Sequence, residues 1–217
     1  MPPIAPNLKP MFAVVRKLLA SSLFLLYPYL VYRGLQAGFV WLAPAIVSAV
    51  LLQQALRSSD TAIRNKKALL ALVFIGGMVF FQDFTAKLIP SLIQLALMHF
   101  FGKTLIKGPP LIERFVRLEF SDIPEELLIY TRQLTFVWTA FFGFNVLMCS
   151  GLALWGQPAW WALYSGVIMF ALTGLLMVGE YIFRHYRFPT LEIPDVKSSA
   201  RTMIINSRQI WLDVQAS

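Results

Sequence analysis

The residues of this chain that could do chemistry are few, and most lie between positions 99 and 132 or near 180. His99 could act as a general base if a substrate proton came within hydrogen-bond reach and a partner oriented the ring. Glu126 is a second catalytic candidate at the same predicted end of the fold. Arg114, Arg117 and Arg132 could hold a phosphate-bearing donor, since a guanidinium grips phosphate or carboxylate through two parallel hydrogen bonds. Glu180 and Arg184 are four residues apart, the spacing at which opposite charges meet on one helix face, and join them as binding candidates.

Each of these has a plainer reading. A histidine at a helix end is ordinarily an interfacial hydrogen-bonding residue, and charges at helix ends are ordinarily paired or solvated. The HxxxxD arrangement of many acyltransferases would need aspartate at 104, where this chain has Thr104. Gly102-Lys103-Thr104 resembles the end of a phosphate-binding loop, but GxxxxGK[ST] needs glycine where Leu97 stands. The single cysteine, Cys149, lies in an apolar run, and no HExxH or second histidine falls at ligand spacing, so no disulfide, metal site or cofactor is predicted.

What must position these residues is a set of apolar helices. Hydrophobic residues make up 58% of the 217, charged residues 14%, and the mean hydropathy is +0.65, a membrane composition. The runs approach the roughly 20 residues a helix needs to cross a hydrocarbon core. The expected fold is an all-α polytopic bundle of about six transmembrane helices, at about 18–33, 39–56, 68–82, 86–101, 134–154 and 159–183. Residues 102–133 form a cytosolic amphipathic connector and 184–217 a cytosolic tail, with a short helix around 199–212. The apolar stretch from Ala68 to Phe101 is too long for one span, and Gln82, Asp83, Lys87 and Pro90 interrupt it, which predicts two helices joined at a tight polar corner. Asp83 and Lys87 could pair there.

The formal charge of +8 would suit nucleic acid if it clustered on a soluble face. Instead, of all the Lys and Arg residues, only Arg33 and Lys87 fall on one side of the predicted topology. This positive-inside bias places both termini and the connector in the cytosol, and it accounts for the charge without a nucleic-acid partner. The start, MPPIAPNLKP, lacks the pattern of a cleaved signal and is expected to be retained.

Within the connector, Gly108-Pro109-Pro110 resets the chain, and residues 111, 112, 115 and 116 share an apolar helical face with Arg114 and Arg117 opposite. Such a helix is expected to lie in the membrane interface, apolar side down. Asp122-Ile123-Pro124-Glu125 can form a capping box that starts the fifth span, and Asn145, deep within that span, is expected to hydrogen-bond between helices. His99, Arg114, Arg117, Glu126, Arg132, Glu180 and Arg184 would then surround one cytosolic mouth.

The runs FGKTLIKGPPLIERFVR, IPEELLIYTRQLTFVW, FFGFN and GEYIFRHYRFP resemble multi-pass bacterial membrane proteins found among the biosynthetic proteins for aryl polyene and xanthomonadin-like pigments. The resemblance covers about residues 90–189 and brings no catalytic residue with it. It implies a bacterial inner-membrane role in making, modifying or moving a polyene lipid, with the bilayer and cytosolic acyl-chain or polyene synthesis enzymes and their carrier protein as partners. Three functions follow as expectations. The first is an accessory protein that docks such enzymes or hands their product to the membrane. The others are a membrane-embedded acyl or related transferase using His99, and a small lipid or metabolite transporter.

Overall fold

The computed structural model describes residues 26–119, 123–188 and 206. Among these the structure is helical, with no strand. Helix α1 occupies residues 26–37, followed by α2 (Leu42–Leu56), α3 (Thr61–Phe80), α4 (Gln82–Ile106), α5 (Leu111–Glu119) and α6 (Glu125–Trp155). The last helix runs from Pro158 to Arg187 and is divided into α7 (Pro158–Leu163), a π-helical turn (Tyr164–Ile168) and α8 (Met169–Arg187). The start of the expected first span, Asp122 of the expected capping box and, apart from helical Asn206, the expected tail helix lie outside the described residues.

Three described helices are long and apolar enough to cross a membrane: α4, α6 and the continuous helix from Pro158 to Arg187. Helix α2 is apolar but has only 15 residues. Helix α3 has 20, but Arg64, Lys66 and Lys67 charge its first two turns. The exposed side chains fit a lipid-facing surface: Leu69, Val73, Val79 and Phe80 on α3, Phe136, Phe144 and Leu147 on α6, and Leu175 and Ile182 on α8 all stand out from the protein.

Local chemistry sets the helix boundaries. Asp60 caps α3, its carboxylate accepting from the backbone N–H groups of Ala62 at 2.8 Å and Ile63 at 3.3 Å. The break between α3 and α4 is one residue wide, at Phe81, with φ −144° and ψ 50°. The Phe81 N–H donates to the Gly77 carbonyl at 2.7 Å, and its own carbonyl accepts from the Thr85 hydroxyl at 2.8 Å. A Cβ on Gly77 would sit 2.5 Å from Thr85 Oγ1, so the corner needs glycine there. The expected corner is therefore present, but Asp83 and Lys87 do not pair across it. Asp83 lies in the first turn of α4, where unsatisfied N–H groups and the helix dipole favour a carboxylate without a cation.

The chain divides into two compact units. One comprises residues up to Lys87 with Leu152–Phe170, and the other Leu88–Gly151 with the residues from Ala171 onward. In the first unit two side chains serve the backbone of α4. Pro90 has no N–H, so the carbonyl of Ala86 loses its partner one turn later. The Tyr27 hydroxyl supplies one, donating to Ala86 O at 2.7 Å. The indole of Trp161, fully buried, donates to Lys87 O at 3.1 Å. Gly166 lies close to Pro28; a Cβ there would meet the proline ring at 3.4 Å.

In the second unit α4 and α6 approach closely through small residues. A Cβ on Gly102 would lie 3.3 Å from Thr139 Cγ2, and one on Gly143 would lie 3.2 Å from Met98 Sδ. Around these points Phe101 packs edge-on to Phe142 at 5.1 Å and beside Trp138 at 6.4 Å. Thr131, Thr135 and Thr139 recur every four residues, and each hydroxyl bonds back to a carbonyl of its own helix at 2.8 Å. Asn145, fully buried, donates to the carbonyl of Phe141 at 2.9 Å.

Two residues of the apolar face of α5 are covered by protein. Leu111 is buried against Phe100, Phe101 and Phe115, and Val116 against Leu127, Phe188, Ile123 and Tyr130. Phe100 and Phe101 of α4, Tyr130 of α6 and Phe188, which follows α8, pack on this face.

Candidate functional site

The densest meeting of polar and aromatic side chains lies in the second unit, where the first turns of α6 meet the last turns of α8. Tyr130 is its centre. The hydroxyl donates to Glu180 Oε1 at 3.2 Å, while the ring stacks on Phe183 at 6.0 Å and meets Phe188 edge-on at 5.4 Å. Arg184 reaches back along α8 to bring Nε within 3.3 Å of the same carboxylate oxygen. The approach is electrostatic, since that Nε makes no hydrogen bond. The side chains of Glu180 and Arg184 are 15% and 29% exposed, so their attraction is only partly screened. Further out, Arg187 and Glu126 approach to 3.5 Å with side chains 55% and 70% exposed, a pairing of little energetic weight. The Arg187 guanidinium also lies 5.4 Å from the centre of the Phe188 ring.

A second group forms where α4 ends and α5 begins. Thr104, completely buried, donates to Phe101 O at 2.7 Å and accepts from the Leu111 N–H at 3.0 Å. One hydroxyl thus ties the last turns of α4 to the first amide of α5. Between them Gly108 adopts φ +77°, a left-handed conformation that favours glycine. Arg132 of α6 donates to Leu105 O at 3.0 Å, supplying one of the carbonyls that a helix end leaves without an amide. On α5, Arg117 donates to Glu113 Oε1 through Nε at 2.8 Å and Nη2 at 2.6 Å, and Arg114 donates to Pro109 O at 2.9 Å.

Of the residues expected at one mouth, Glu180 and Arg184 meet at Tyr130 and Glu126 pairs with Arg187, whereas Arg132, Arg114 and Arg117 hold the α4–α5 turn and α5 itself. His99 is exposed on α4 and, among the described residues, makes no hydrogen bond or ion pair. His185 lies against Tyr181, ring centres 4.2 Å apart. Among the described residues no three of His, Cys, Asp and Glu are grouped as metal ligands.

No family model, curated protein or solved structure matches the chain. The site is therefore read from its own geometry. Sequence reasoning missed Tyr130 and Thr104 as its pivots. Tyr130 carried a signal, lying one turn after Glu126 with an aromatic face available to the helix that brings Glu180. Thr104 carried a weaker one, a hydroxyl next to a glycine-proline reset that needs its first amide capped.

Proposed function

We propose that this protein is an accessory, noncatalytic integral protein of the bacterial inner membrane, with six spans and both termini in the cytosol. It docks cytosolic enzymes and carrier proteins of polyene or fatty-acid-like lipid synthesis, or hands their product to the bilayer. The observation that supports this reading is how the ionisable candidates are engaged. Arg117 is held by Glu113, Arg132 by the Leu105 carbonyl, and Glu180 by Tyr130 and Arg184, while His99 stands exposed and, among the described residues, has no orienting partner. Groups committed in this way stabilise the fold, whereas a general base needs an oriented ring and a substrate proton within reach. The resemblance of residues 90–189 to pigment-biosynthesis membrane proteins supplies the class of partner.

The test is a deletion strain profiled for lipids and pigments, with pull-down of the tagged protein from solubilised membranes. Recovery of an acyl-chain synthesis enzyme or its carrier protein, with altered product and full complementation by His99→Ala, is expected. Unchanged product together with recovery of neither would overturn the reading. Turnover by the purified protein that is lost in His99→Ala would overturn it in favour of the transferase.

A further inference from the structure

The arginines of the second unit are occupied within the fold. Arg117 is held by Glu113, Arg132 by the Leu105 carbonyl and Arg114 by the Pro109 carbonyl, while Arg184 and Arg187 lie against carboxylates. The basic residues of the α2–α3 hairpin, in the first unit, are placed differently. Arg57 follows α2 directly, and Arg64, Lys66 and Lys67 stand in the first two turns of α3. Arg57, Arg64 and Lys66 are exposed and Lys67 is half-buried, and among the described residues none of the four side chains meets an acceptor. The one carboxylate among them, Asp60, accepts from the amides of Ala62 and Ile63, so it caps the helix and neutralises no cation. The positive-inside bias says on which side such residues fall, but not what receives their charge.

The apolar parts of this hairpin are short. Helix α2 has 15 residues, roughly 22 Å at about 1.5 Å per residue, and residues 68–80 of α3, beyond the cations, extend roughly 20 Å. A hydrocarbon core is about 30 Å thick. The two helices pack side by side. Ile46 and Val50 on α2 and Leu69, Leu72 and Val79 on α3 stand exposed, so both helices offer lipid an apolar surface. Seated by that surface, a hairpin shorter than the core draws its basic tip to the level of the lipid phosphates and thins the bilayer around it, instead of holding the charges clear in water. The flexible stems of lysine and arginine let their charged heads settle at that level.

We propose that the tip of the α2–α3 hairpin is a binding site for the headgroups of anionic phospholipids, with Arg57, Arg64, Lys66 and Lys67 holding their phosphates. The class of lipid follows from charge. A zwitterionic headgroup carries its own cation beside its phosphate and gains little from four more, whereas a headgroup of net negative charge gains the full attraction. Arg64 and Lys67 stand three residues apart, neighbours on the helix surface, and a phosphate between them replaces their repulsion with attraction. Arg57 adds a guanidinium that can meet two phosphate oxygens at once. Since Asp60 already occupies amides of the first turn of α3, side chains and not the helix end make the site. The inference needs the hairpin to be seated in lipid and does not depend on the docking of biosynthetic enzymes.

The experiment places the full chain in phosphatidylcholine nanodiscs that hold a small fraction of photoreactive phosphatidylglycerol, and maps the adducts by peptide mass spectrometry. Labelling of peptides covering residues 57–67 is expected, competed by unlabelled phosphatidylglycerol and weakened as salt is raised. Below saturation, Lys66→Gln should lower that labelling by about fivefold, and the quadruple variant with Arg57, Arg64, Lys66 and Lys67 each changed to Gln should lose it. Arg57→Lys and Arg64→Lys combined with Lys66→Arg and Lys67→Arg keep every charge and should retain it. Thermal unfolding checks the quadruple Gln variant, and Lys66→Gln, which removes one exposed side chain, carries the test if that variant does not fold. Wild-type protein unlabelled over 57–67, or labelling unchanged in Lys66→Gln and in a folded quadruple Gln variant, would overturn the proposal. So would displacement of the lipid by inorganic phosphate beyond the effect of chloride at equal ionic strength, which would assign the tip to free phosphate.

Discussion

Replacing Thr104 with valine isolates one of the two pivots that the sequence did not reveal. Valine preserves the shape of threonine and removes only the hydroxyl. That hydroxyl accepts from the Leu111 N–H at 3.0 Å and donates to Phe101 O at 2.7 Å, and Leu111 is itself only 3% exposed. Phe101 O, near the end of α4, keeps access to the amides of that helix, so its loss is minor. The Leu111 amide is the first of α5 and has no carbonyl one turn earlier within the helix, so it is stranded. A buried donor left without a partner costs about 1–3 kcal/mol. This overlaps the roughly 0.5–2 kcal/mol measured for removing a side chain that caps a helix start. If the loss falls on α5 alone, its opening equilibrium rises by about 5- to 150-fold, at about 1.4 kcal/mol per decade. Hydrogen–deuterium exchange of peptides covering 107–119, in protein reconstituted in nanodiscs, reads this directly. Thr104→Ser, which retains the hydroxyl, is expected to exchange within about fourfold of wild type, the residual being one lost methyl at about 0.8 kcal/mol or less. Exchange in Thr104→Val within twofold of wild type would refute the capping role. So would Thr104→Ser exchanging as fast as Thr104→Val.

The Tyr130 cluster gives three further expectations. Tyr130→Phe removes the donor to Glu180 but keeps both ring contacts, so unfolding stability should fall by about 0.5–1.5 kcal/mol, whereas Tyr130→Ala should lose roughly 1–3 kcal/mol more with the Phe183 and Phe188 contacts; chemical denaturation in mixed micelles separates the two. Glu180→Gln leaves the partly buried Arg184 without its counter-charge and should destabilise more than the double change with Arg184→Gln; equal losses in single and double variants would show that the pair is not coupled. By contrast, Glu126→Gln acts on an ion pair more than half exposed on both sides, and should shift stability by less than about 0.5 kcal/mol at any salt concentration.

These cases also show what the sequence could say. The corner between α3 and α4, the resetting role of Gly108-Pro109-Pro110 and the Glu180–Arg184 pair were legible, because each depends on residues within a few positions of one another. The helical class followed from apolar run length. What stayed hidden depends on contacts across long separations: Tyr130 reaches Glu180 50 residues on, and Arg132 reaches back 27 residues to Leu105 O. Residue type does not announce whether an arginine will cap a helix or bind a phosphate, since the guanidinium suits both. The amphipathic face of α5 was legible as a pattern, but not that protein covers two of its residues, Leu111 and Val116. Periodicity shows that a face is apolar, and only the fold shows what covers it.

The proline in α4 also bears on how the chain is assembled. The Lys87 carbonyl receives the Trp161 indole from 74 residues further along, and Tyr27, which serves Ala86, precedes it by 59. During synthesis Tyr27 is present when α4 emerges, but Trp161 is not. At about 5–20 residues per second the indole follows some 4–15 s later. Over that interval the Lys87 carbonyl has only the amide of its own helix as donor, and the indole bond forms once the last long helix arrives.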